Sequence, residues 1–118
     1  MNNKQQRNVF LSQFADNEVI YSSLSNNSSE KKIVIYDEKR IINENITFKN
    51  VGKIIEFTNI KPQDNDHYFI VHNFILNKNL ATLVLVTNDR NYGIIYYLTR
   101  KGNNDKWKHI NIIPRNTR

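Results

Sequence analysis

The stretch DHYFIVHNFILNKNLATLVLVTNDRNYGIIYYLTRKGNNDKWKHINII, residues 66–113, decides the fold. Four apolar runs follow one another in it, at 67–76, 80–87, 92–100 and 107–113. Each is rich in the β-branched and aromatic side chains that suit a pleated surface. Between them stand Asn77-Lys78-Asn79, Asn88-Asp89-Arg90-Asn91 and Gly102-Asn103-Asn104-Asp105, residues that tolerate positive φ or bond their own backbone. The pattern predicts an antiparallel β-meander.

Side chains alternate between the two faces of a strand. By that count Tyr68, Ile70, Phe74 and Leu76 share one face with His72, while Phe69, Val71 and Ile75 take the other. Ile94, Tyr96 and Leu98 oppose Ile95 and Tyr97 in the third run. Apolar groups on both faces imply a sheet covered on both sides or curled on itself. The second cover would be the curl itself, the shorter strands or a second copy of the chain, so a homodimer is one expectation.

Upstream, alternation predicts shorter strands at 33–36, 41–48 and 53–58, with turns at Asn43-Glu44-Asn45 and Asn50-Val51-Gly52 and a loop over 62–66. Residues 25–30, Ser and Asn closed by Glu30, have no apolar anchor and read as a surface loop. In 9–24, Phe10, Leu11, Phe14, Ala15, Ile20 and Leu24 fall at helical spacing. Asp16-Asn17-Glu18 interrupts that stripe, giving one bent helix or two short ones with Asp16 as the second N-cap. The fold class is therefore α+β: one N-terminal helix region on a curled antiparallel meander, cone or barrel-like. Residues 1–118 form a single domain, with 1–8 a flexible leader and 114–118 a basic tail.

The C-terminal segment Leu98-Thr-Arg-Lys-Gly-Asn-Asn-Asp-Lys-Trp-Lys-His-Ile110 resembles the last hairpin of NTF2-like and related cone-shaped α+β domains. Those close with a strand, a Gly/Asn/Asp turn, Trp-Lys and an apolar pair. The resemblance covers the last quarter of the chain and implies helices packed on a curled sheet. Lipocalin-like barrels and β-sandwiches end in similar hairpins. The acid and base residues of the enzymatic NTF2-like members have no counterpart in this sequence.

The chain has no cysteine, which excludes disulfides, thiolate metal sites and a cysteine nucleophile. No two of His67, His72 and His109 have the helical spacing of a zinc site, although His72 and His109 could meet across the sheet. Asp64, Asp66 and Asp89 fall in loops without the glycine of a calcium loop. Gly52, Gly93 and Gly102 form no phosphate cradle. Neither catalysis nor a metal or cofactor is expected. The N-terminus lacks the pattern of a secretory signal and no run has the length of a membrane span, so a cytoplasmic protein without membrane contact is expected.

Charge is the feature that points to function. The net charge is +6. Residues 1–89 balance ten Lys and Arg against ten Asp and Glu, and 90–118 hold seven cations against Asp105 alone, so the whole excess sits in the last two strands. Arg90, Arg100, Lys101, Lys106, Lys108, Arg115 and Arg118 are predicted to form a basic rim at one end of the sheet, near Trp107, Tyr96 and Tyr97. The first expectation is a small non-enzymatic module that binds an acidic protein partner, of the inhibitor, immunity-protein, phage-borne or accessory kind. The alternatives are a nucleic-acid-binding module using the same rim and an NTF2-like small-ligand-binding domain.

Overall fold

The computed structural model describes residues 3–25, 32–50, 52–63, 66–102 and 104–116. The predicted Ser-Asn loop beyond Ser25, the turn residues Val51 and Asn103, Asp64 and Asn65 of the predicted loop, and Thr117 and Arg118 of the tail lie outside them. The architecture is α+β. Helices α1 (Asn3–Asp16) and α2 (Glu18–Ser25) precede β1 (Lys32–Tyr36), β2 (Ile46–Asn50), β3 (Lys53–Thr58), β4 (Phe69–Leu76), β5 (Leu80–Thr87), β6 (Tyr92–Thr99) and β7 (His109–Asn116). The strands make one open sheet in the order β2-β3-β1-β4-β5-β6-β7. β4 to β7 form the predicted meander, and β1 lies between β3 and β4, parallel to both.

The helix region is two helices, broken at Asn17. Its Oδ1 accepts the Ile20 N–H at 3.0 Å, so the cap of α2 is Asn17 and not Asp16. Asp16 instead accepts a hydrogen bond from Asn50 Nδ2 at 2.8 Å, tying α1 to the edge strand β2. Asn17→Ala should cost about 1 kcal/mol, read as a lowered denaturant midpoint with unchanged slope. Residues 3–8, expected as leader, belong to α1, and Arg7 pairs with Glu44 at 3.3 Å. Likewise Pro114, Arg115 and Asn116, expected as tail, pair with Ile94, Gly93 and Tyr92 in β7.

Both helices cover one face of the sheet. Phe10, Leu11 and Phe14 from α1 and Ile20 and Leu24 from α2 are fully buried there. The cross-strand rows beneath are Val71–Leu85–Ile94, Phe74–Leu83–Tyr96–Ile112 and Leu76–Ala81–Leu98–Ile110. Phe14 meets the Tyr96 ring edge-on at 5.1 Å, and Phe10 lies against Phe74 and Trp107, each at 5.5 Å.

The rows contain a correction. The register of β4 against β5 slips between Val71 and Asn73, where His72 is the extra residue of a β-bulge. A bulge inserts one residue and reverses the parity beyond it. Phe69, Val71, Phe74 and Leu76 therefore share the helix-facing side, and Ile75 joins Ile70 on the other. The strict alternation assumed for this strand assigned Phe74, Leu76 and Ile75 to the wrong faces.

A second correction concerns the strand expected at 41–48, which begins only at Ile46. Asp37, fully buried at the end of β1, accepts the backbone N–H of Ile41 on Oδ1 at 2.8 Å and those of Ile42 and Asn43 on Oδ2 at 2.9 and 2.7 Å. Those donors are taken out of any ladder. Its own N–H donates to Thr58 O at 2.8 Å, which ties the loop to β3.

Candidate binding surfaces

The β6–β7 connection gathers four of the predicted cations. Arg100, Lys101, Lys106 and Lys108, with Thr99 and Asp105, line a depression of about 590 Å³. The turn is closed by the Asp105 N–H donating to Gly102 O and the Lys108 N–H donating to Thr99 O, both at 3.0 Å. Arg100 is fixed: its Nε donates to Lys78 O at 2.7 Å and its guanidinium lies 4.5 Å from the centre of the Trp107 ring.

Trp107 is 5% exposed, so it belongs to the core, packed on the N-terminal helix as its size in the last apolar run predicts, and is not one of the rim's contact residues. Its backbone N–H donates to Gln13 Oε1 of α1 at 2.8 Å, and its indole packs edge-on against Phe10. The indole Nε1 has no hydrogen-bond partner among the described residues, so the side chain contributes through apolar area.

Arg90 and Arg115 are not part of this rim. Arg90 is in the β5–β6 turn and Arg115 pairs with Gly93, so both lie at the other end of the eight-residue strand β6. That separates them from Arg100 by roughly 25 Å at the usual strand rise. The sequence placed all seven cations, Arg118 beyond the described residues included, at one end because neighbours in the chain were counted as neighbours in space.

The sequence reading did not single out Ile75 and Leu80 as surface residues. Ile75, Leu80 and Tyr97 are 49%, 44% and 38% exposed. Ile75 and Tyr97 flank Thr82 in one cross-strand row on the helix-free face. Leu80 pairs with Thr99, itself part of the basic depression. An exposed apolar patch thus adjoins the cations. Isolated exposed apolar residues are ordinary, but a contiguous patch with a charged border is the composition of an interface. The signal in the sequence was the outward parity of Leu80 and Tyr97; for Ile75 the bulge concealed it.

The remaining titratable candidates have structural places. β5 and β6 lie between the strands of His72 and His109, so the two do not adjoin across the sheet. Asp89 accepts hydrogen bonds from the Thr87 hydroxyl at 2.6 Å and the Asn91 N–H at 2.9 Å, which hold its carboxyl below the usual range. Tyr96 is raised well above the ordinary phenol range by burial, against the opposing effect of its Ser23 hydrogen bond at 2.6 Å. It stays neutral beneath the helices. Among the described residues no three His, Asp or Glu side chains converge as a metal site, and no helix is long and apolar enough to cross a membrane. Compared with known protein families, curated proteins and solved structures, the chain matches none.

Proposed function

We propose that this is a small non-enzymatic module that binds an acidic protein surface through the Ile75, Leu80 and Tyr97 patch and its border of Lys101, Lys106 and Lys108. The observation that carries the reading is the adjacency of exposed apolar side chains to clustered cations at one end of the sheet. Aromatic and aliphatic anchors supply most of the affinity at such surfaces, and bordering charges steer encounter. Nucleic acid is the weaker reading, because Trp107 and Tyr96 are buried and Tyr97 is one exposed ring beside the cations, whereas single strands are held by rows of exposed rings. Inhibitors, immunity proteins and phage-borne or accessory factors are proteins of this design. The same proposal takes the sheet, bent by the bulge at His72, as an NTF2-like cone.

The experiment has two steps. A photo-reactive residue in place of Lys106 captures the partner in its host cell, and the purified pair is then followed in real time. Lys106→Ala with Lys108→Ala should slow association about tenfold and leave dissociation nearly unchanged. Tyr97→Ala should do the reverse. Equal effects of both variants on dissociation, or none, would remove this surface from the interaction.

A further inference from the structure

A second feature of the helix-free face lies at its other end. The cross-strand row Ile70–Val86–Gly93–Arg115 has no side chain at its third position, which leaves a notch in that row. A depression of about 490 Å³ lies there, with Val84, Val86 and Ile95 as its apolar lining and His72, Arg90 and Arg115 as its polar one. The volume is within the usual range for small-molecule sites. Among the described residues no carboxylate lines it. Asp89, next to Arg90 in the chain, is bonded back into its own turn through Thr87 and Asn91.

An apolar floor beside guanidinium groups is complementary to one chemistry. Hydrocarbon is drawn from water onto Val84, Val86 and Ile95, and the planar fork of an arginine matches a carboxylate. We propose that the Gly93 notch binds an aliphatic carboxylate, with its chain along those three side chains and its head on Arg115. A second copy of this chain fits less well. Two-fold packing on this face sets the same patch of each copy against its twin, arginines included. The site is separate from the protein-binding patch and does not depend on it.

The test is a titration of the full chain near neutral pH with decanoate, decanol and decyltrimethylammonium, below the concentrations at which they aggregate. It is followed by the methyl resonances of Val84, Val86 and Ile95. Decanoate should shift these signals and bind at least about tenfold more tightly than decanol, the effect of one charge-assisted pairing. Arg115→Ala, at an exposed position of the edge strand, should erase that advantage while leaving decanol binding as it was. Gly93→Val should block all three if it folds, and dispersed methyl spectra report whether it does. The proposal is overturned by absent shifts, by equal binding of the three probes, or by an unaltered decanoate affinity in Arg115→Ala. Sedimentation showing a dimer that buries these methyls would equally overturn it.

Discussion

Asp37→Ala should lower stability by about 3 kcal/mol or more, a large share of what a domain of this size has. The carboxylate is the acceptor for three successive backbone N–H groups, those of Ile41, Ile42 and Asn43, and it is fully buried. Its removal leaves donors at the protein interior without partners, and each such loss costs of order 1–3 kcal/mol unless water enters. Besides this carboxylate the loop has the Arg40 N–H donating to Asp37 O at 3.1 Å and Ile42 buried in the core. Arg40 and Asn43 have φ of 53° and 60°, a region that is costly without compensation for most residues. Glu44 and Asn45, which reach Arg7 and the Asn59 N–H, are carried by the same loop. Asp37→Asn keeps one oxygen and turns an amide toward the donors, so it should fall between wild type and Asp37→Ala. Urea unfolding of the three proteins measures the order, and an alanine variant within about 0.5 kcal/mol of wild type would show that the loop is held by something else.

Trp107→Ala should cost about 3–5 kcal/mol, the range for removing a large aromatic from a core. The indole closes the end of the core between α1 and the β6–β7 hairpin, with Phe10 edge-on at 5.5 Å beneath it and the Arg100 guanidinium 4.5 Å from its ring centre above. Because Nε1 has no hydrogen-bond partner among the described residues, Trp107→Phe should keep most of the stability. Loss of the ring also takes away the surface on which the Arg100 guanidinium lies, leaving its bond to Lys78 O, so the basic hairpin should become more mobile in Trp107→Ala than in Trp107→Phe. Thermal melts and amide exchange in residues 99–108 read both effects. An unchanged melting temperature for Trp107→Ala would return Trp107 to the surface.

Sequence legibility followed the physical regularity of each segment. β3 and β5 occupy the residues their alternation predicts, 53–58 and 80–87, because each is bounded by turn residues and contains no irregularity. β4 was legible as a strand but not in its facing. A bulge at His72 adds one residue without any composition that marks it. β1 was legible as a strand, yet its place between two parallel neighbours was not, since nothing in Ile33, Val34 and Ile35 names the partner strands. The loop after it was read as strand because Ile41 and Ile42 look like strand residues. Only the coordinates show that Asp37 captures their donors.

The candidate surface was legible in its charge and less so in its shape. Lys101, Lys106 and Lys108 lie together with Arg100 because one tight turn joins their strands. Arg115 is returned by the antiparallel hairpin to the level of Gly93, at the opposite end of the sheet from Arg100. The apolar half of the surface could not be read before the faces of β4 and β6 were fixed relative to each other.

The claim that the basic hairpin serves a protein partner is tested most directly by gel-shift titration at about physiological salt. Purified protein is titrated against single- and double-stranded DNA and RNA. Clustered lysines beside the one exposed ring of Tyr97, with Trp107 and Tyr96 buried, should give only weak, sequence-independent association, with no shift at micromolar protein. Micromolar or tighter binding that falls when Lys106 and Lys108 are replaced together by alanine would contradict the account and make nucleic acid the partner of this surface.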